Sequence, residues 1–264
     1  MPAATVNGVE LAYDEAGAGA ALILLHAGIA DRRMWDDVLP TLAERFRVVR
    51  LDLRGYGETP LPDGPFVYAS DIRVLLETLG IECTHVVGVS MGGHVALDLA
   101  LAHPEVVDRL VLVGSGIDGW EHSAALRAAW AEEAAAFERG DLDETAWLSV
   151  STWLDGPTRS PGDVEASLRE RVFIMQRAAL DLENESAEGG WLVPSRRARL
   201  GELNVPTLVL VGALDQPDFG RIARLLADQI PDARFEELPG VAHLPPLEDP
   251  PAFARTVLAF LEHP

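Results

Sequence analysis

A chain of 264 residues is long enough to bury one substantial core, as a single α/β domain or that domain with an insertion. Its formal charge of −21 argues against a nucleic-acid groove, which needs clustered cations to neutralise phosphate. The sequence contains no lysine, which excludes Schiff-base chemistry, a pyridoxal phosphate site and a P-loop.

The chain opens on residues 5–13, which alternate around Asn7-Gly8 as a hairpin does. Ala21–Leu25 is a continuous apolar run, the pattern of a strand buried on both faces. It ends at His26-Ala27-Gly28-Ile29, and a helical pattern follows through Trp35, Val38 and Leu42. Residues 46–51 form the next strand and deliver a turn-rich loop, Asp52-Leu53-Arg54-Gly55-Tyr56-Gly57-Glu58-Thr59. Ile72, Leu75, Leu76 and Leu79 mark one face of a helix closed by Gly80. The strand Thr84–Val89 then leads through Gly88-Val89-Ser90-Met91-Gly92-Gly93 into a helical pattern that Pro104 ends. Residues 110–113 supply another buried strand, so strand and helix alternate and a parallel sheet covered on both faces is expected.

That rhythm breaks over residues 118–196, where only helical stretches are read, divided by Gly156-Pro157 and Gly189-Gly190. Five of the six tryptophans lie there: Trp120, Trp130, Trp147, Trp153 and Trp191. The expectation is a small helical lid at 118–196 between core segments 1–117 and 197–264. Its tryptophans would line an apolar pocket or anchor the lid to the sheet. The α/β pattern resumes with a strand at 206–211, a loop carrying Asp215, and a helix on Ile222, Leu225, Leu226 and Ile230. A strand at 234–238, a loop carrying His243 and a terminal helix complete the chain, with Asp249 as the N-cap and Pro250 at the first helical position.

The single cysteine, Cys83, has no catalytic context and is expected to be structural. The first residues lack a basic start and an apolar core, and no apolar run approaches membrane-spanning length. No signal peptide and no membrane partner are therefore expected, and a cytoplasmic location is the default.

The stretch around Ser90 carries the chemistry. A strand can pass into a helix within one residue only if its neighbours are small, and Gly88 and Gly92 meet that need. The apex hydroxyl is thrown outward beside the free N–H groups of the new helix. A serine hydroxyl needs a base, and the base a carboxylate to orient it. Asp215 and His243 both follow strands to the same sheet edge as Ser90, in the order Ser, Asp, His. Asp218 is a rival acid three positions on. His85, His94, His103, His122 and His263 are weaker bases by position. For the oxyanion of a tetrahedral intermediate, the amide of Met91 is one expected donor and that of Gly28 the other, with Ile29 as the alternative. His26 is expected to bond loop backbone.

On the motifs His26-Ala27-Gly28, Asp52-Leu53-Arg54-Gly55-Tyr56-Gly57, Gly88-Val89-Ser90-Met91-Gly92 and Gly212-Ala213-Leu214-Asp215 with His243, the chain resembles the α/β-hydrolase superfamily over nearly its whole length. Within it the chain looks closest to esterases and lactonases of the enol-lactonase-like kind. The resemblance implies a mostly parallel sheet flanked by helices with a lid inserted after the sixth strand. It also implies a triad of Ser90, His243 and Asp215, with Gly28 and Met91 at the oxyanion hole and no cofactor or metal. It departs from the family where His-Gly-x-Pro is common and this chain reads His26-Ala27-Gly28-Ile29, and where Thr59 replaces a serine. The implied reaction is hydrolysis of a small, mainly apolar ester or lactone. Diketone carbon–carbon hydrolysis, perhydrolase activity and a receptor-like binding role remain open alternatives. By resemblance, a serine at the elbow disfavours dehalogenase and epoxide-hydrolase chemistry.

Overall fold

The structure, a computed structural model, describes residues 2–183 and 186–262. Its main sheet has eight strands: β1 (Ala3–Val6), β2 (Val9–Ala16), β3 (Ala21–Leu25), β4 (Arg47–Leu51), β6 (Thr84–Val89), β7 (Val107–Val113), β9 (Thr207–Gly212) and β10 (Ala233–Leu238). They lie in the order β1-β2-β4-β3-β6-β7-β9-β10. β1 and β2 are antiparallel, joined at Asn7-Gly8 where both residues take positive φ, as the hairpin signal requires. β2 meets β4 antiparallel, and every pairing from β4 to β10 is parallel.

Alternate side chains of the apolar strands feed two cores, one on each face of the sheet. Ile23, Leu25, Val49, Val86, Leu110 and Val209 face one side, while Leu22, Leu24, Val48, Val87, Val111 and Leu208 face the other. The first core is closed by α2 (Tyr68–Thr78), α3 (Met91–Ala102) and α8 (Pro217–Gln229). Leu42 of the short α1 (Leu39–Ala43) and the terminal α10 (Pro250–Glu262) close the second. Asp249 caps α10 as expected, accepting from Ala252 N at 3.0 Å. The pattern read as one helix through Trp35 and Leu42 is instead a 3₁₀ turn, Arg32–Trp35, followed by α1.

Between β7 and β9 the chain leaves the main sheet through α4 (Ala124–Glu138), α5 (Leu142–Val150) and α6 (Ala166–Asp181). A π-helical turn, Ser151–Asp155, follows α5 and keeps Ala146, Val150 and Leu154 buried on one side. This segment also contains a strand that sequence reasoning did not anticipate. β8 (Ala187–Gly190) pairs in parallel with β5 (Gly64–Val67), a second sheet apart from the first. The sequence Ala-Glu-Gly-Gly has no β-branched or large apolar residue, so only the backbone pairing across the fold defines it. Short helices α7 (Arg196–Arg199) and α9 (Pro245–Glu248) sit before β9 and α10. Among the described residues no helix is long and apolar enough to cross a membrane.

Candidate active site

Ser90 occupies the one-residue link between β6 and α3 with φ 53° and ψ −112°, a conformation rare outside glycine. Two close approaches hold it there. A Cβ on Gly88 would lie 2.3 Å from the Gly92 carbonyl oxygen, and one on Gly92 would lie 2.2 Å from that of Leu25. Any larger residue at either place would push the helix off the strands. Ser90 N donates to Val113 O at 2.8 Å, and Gly92 N to His26 O at 3.1 Å, which ties the turn to the ends of β7 and β3.

The next residue along β7, Gly114, stands against the other half of the site. A Cβ there would lie 3.1 Å from His243 Nδ1 and 3.3 Å from Asp215 Oδ2. His243 Nδ1 donates to Asp215 Oδ2 at 2.8 Å, and both side chains are buried. Gln216 N donates to the other carboxylate oxygen at 2.6 Å. His243 Nε2 has no hydrogen-bond partner among the described residues. Trp153 and Phe219 flank the imidazole, each with its ring centroid 4.6 Å away. The structure joins the carboxylate and the imidazole directly, while the serine turn stands at the same sheet edge with no hydrogen bond to His243.

The loop of His243 is clamped from below by Glu248. Its carboxylate accepts from Ala242 N and from Leu244 N at 3.0 Å, on either side of the histidine, and pairs with Arg159 at 2.6 Å. Burial pushes the Glu248 carboxyl up from its ordinary value against these bonds. Gly28 lies beside Met91, where a Cβ on the glycine would be 3.6 Å from Met91 Cβ and 3.7 Å from the Tyr56 hydroxyl.

The remaining residues have other partners. Asp218 sits in the first turn of α8, buried, and accepts from Ser123 N at 3.0 Å, Trp120 Nε1 at 3.2 Å and Arg221 at 2.9 Å. It anchors the start of the helical segment and does not meet the imidazole. His26 donates from Nδ1 to Ala27 O at 2.8 Å and accepts Leu53 N–H on Nε2 at 3.0 Å, so both nitrogens serve loop backbone. Burial lowers its pKa. His85 meets Asp108, His103 meets Glu105, and His94 and His122 stack edge-on against Trp191 and Trp130. His263 lies outside the described residues. The Asp52 carboxylate holds its own loop, accepting Arg32 N at 2.8 Å and Glu58 N at 2.9 Å. Thr59 serves where a serine is usual, its hydroxyl donating to Asp52 O and accepting from Ala12 N.

Two cavities adjoin these residues. One, of about 270 Å³, is lined by Gly28, Tyr56, Phe66 and Tyr68 together with Gln176 and Glu183. The other, of about 320 Å³, is lined by Trp130, Trp153, Phe137 and Glu133, and shares Gln176, Leu180 and Glu183 with the first. Tryptophans line only the second, polar groups stand in both walls, and neither wall includes Ser90, Asp215 or His243. Gly114, Glu248 and Phe219 escaped sequence reasoning, and Trp153 was read only as one of the lid tryptophans. Of the first three, only Gly114 carried a signal, a glycine placed directly after a buried strand.

Known proteins share this architecture. A hydrolase from Pseudomonas aeruginosa is 32% identical, with a TM-score of 0.81 over 99% of this chain and 98% of that one. An enol-lactonase from Burkholderia xenovorans is 26% identical, with a TM-score of 0.81 over 99% of this chain and all of that one. A pimeloyl-[acyl-carrier protein] methyl ester esterase from Aeromonas hydrophila is 28% identical over 96% of this chain and its own full length. Uncharacterized mycobacterial relatives match at 42% identity over 116 residues, and the match spans 34% of their length. The family model for the alpha/beta hydrolase fold matches residues 20–250. With the parallel sheet and the strained serine turn, that match identifies the chain as a member of the alpha/beta-hydrolase superfamily.

Proposed function

We propose that the chain is a serine hydrolase that cleaves small carboxylic esters or lactones through an acyl-enzyme. The observation that carries this reading is the His243–Asp215 pair, bonded at 2.8 Å with the outer imidazole nitrogen unpartnered, at the sheet edge that bears Ser90. In the proposed reaction Ser90 Oγ attacks the acyl carbon while His243 Nε2 takes its proton. The amides of Met91 and Gly28 receive the oxyanion. Collapse of the intermediate expels the alcohol, which takes the proton from His243. Water, deprotonated by the same imidazole, then releases the acid. In a lactone the leaving alcohol stays tethered to the acyl group. Asp215 holds the imidazole in the tautomer that leaves Nε2 able to accept. No step in this scheme calls for a metal or cofactor, and the helices of residues 118–196 serve as the lid over the acyl site.

The test is Ser90→Ala against a panel of chromogenic esters and lactones. Turnover is expected to fall on the order of a millionfold, and wild type is expected to be stopped stoichiometrically by a serine-directed organophosphate. A variant within tenfold of wild type removes Ser90 as the nucleophile. Strong preference for a diketone over every ester would move the protein to the carbon–carbon hydrolases, and tight binding without turnover to the receptor-like reading.

A further inference from the structure

Gln176 lies on α6 with Leu180 one turn on, and these two residues and Glu183, just past the end of the helix, line both cavities. It is 94% buried, 6% of its surface remaining accessible, and its Oε1 has no hydrogen-bond partner among the described residues. A buried amide oxygen without a donor is costly, and a native fold rarely leaves one without a reason.

The neighbours fix which way the amide points. Gln176 Nε2 lies 3.3 Å from Ser149 Oγ. That hydroxyl also meets the Glu133 carboxylate and, at 3.2 Å, the Thr145 carbonyl. Ser149 has one proton, and the Glu133 carboxylate takes it, so the hydroxyl meets Gln176 as an acceptor. The amide therefore presents N–H to Ser149 and keeps its carbonyl oxygen for something else. Thr145 cannot supply the donor, because its hydroxyl is spent on Asp141 O at 2.8 Å.

We propose that Gln176 Oε1 is a specificity determinant that receives a hydrogen-bond donor, a hydroxyl or amide N–H, on the part of the substrate remote from the scissile carbonyl. The inference rests on the ester or lactone reading for its site and adds the class of substrate. Glu133 and Glu183 border the same space, so a tail ending in a carboxylate is disfavoured and one ending in a neutral donor is favoured. The rings of Trp130 and Trp153 in the same wall suit the hydrocarbon between the two ends.

The experiment compares p-nitrophenyl hexanoate with p-nitrophenyl 6-hydroxyhexanoate, and hexyl acetate with 6-hydroxyhexyl acetate, so that the donor is carried on the acyl or the alcohol side. In wild type, kcat/KM for the hydroxylated member of one pair should exceed its alkyl partner about fivefold or more. Gln176→Leu should bring that ratio to about one or below, and Ser149→Ala, which frees the amide, should shift it the same way. Thermal melting of each variant shows whether it is folded. The same pairs titrated calorimetrically into Ser90→Ala and Ser90→Ala/Gln176→Leu read binding without catalysis. A donor preference in the first and none in the second supports the inference even if wild type hydrolyses nothing, in which case only the reaction assignment fails. Ratios of about one in both pairs for wild type, or a preference that survives Gln176→Leu in rate and in binding, overturn it.

Discussion

The imidazole of His243 rests on Gly114, where an added Cβ would lie 3.1 Å from Nδ1 and the ring would have to give by a few tenths of an ångström. The glycine also takes φ +49°, so a side chain would be strained even with the space cleared. Gly114→Ala should give a folded but less stable protein, with turnover lowered about a hundredfold because the imidazole is displaced from the serine. Activity against a chromogenic ester, read beside a thermal melt, checks this. Wild-type turnover in the variant would show that the contact does not position the base.

The two neighbouring carboxylates should separate cleanly. Asp215→Asn is expected to cost about ten-thousandfold in turnover, because the amide no longer selects the productive tautomer of His243. Asp218→Asn should act mainly on stability, since Asp218 accepts from Trp120, Ser123 and Arg221 and not from the imidazole. Equal rate losses would refute the division of roles.

Glu248 tests how far the fold positions the base. Glu248→Ala removes the acceptor for Ala242 N and Leu244 N and leaves Arg159 only its bonds to the carbonyls of Leu154 and Asp155. A loss of about 2–3 kcal/mol in stability is expected, with a fall in turnover larger than the change in KM. Glu248→Asp, which keeps the charge on a shorter arm, should recover part of each. If turnover is untouched while stability falls, Glu248 holds the loop without aligning His243.

Acid should weaken the fold partly through His94. Burial, helped by the charge of Arg196, lowers its pKa to about 4 from an ordinary 6.5. Between those values the unfolded chain binds a proton that the folded chain does not, so stability falls as pH drops from about 6.5 to about 4 and levels off below. This one group gives a slope of up to about 1.4 kcal/mol per pH unit. Denaturant titrations of wild type and His94→Gln across that window should show a shallower dependence in the variant. Identical slopes would remove His94 as the cause.

The alternation of strands and helices was legible because apolar runs such as Ala21–Leu25 and Thr207–Gly212 fill both faces of the sheet and cannot be hidden any other way. The serine turn was legible because two close backbone approaches demand Gly88 and Gly92. β8 was not, since it pairs with a segment more than a hundred residues away and has no strand composition of its own. Asp215 and Asp218 were hard to rank from spacing alone. Where α8 begins decides it, because Pro217 starts the helix and turns Asp218 toward Trp120. Glu248 and Gln176 gave no signal, because their meaning lies wholly in which distant groups they meet.

The π-helical turn Ser151–Asp155 both holds and covers His243. Its Trp153 carbonyl accepts the backbone N–H of His243 at 3.3 Å, and its Trp153 ring covers the imidazole. Any motion that lifts this turn from the sheet breaks a bond to His243 itself and bares the ring to water. In the proposed scheme the segment that shields the base from water is therefore also the one that holds its backbone, so one short turn carries both tasks.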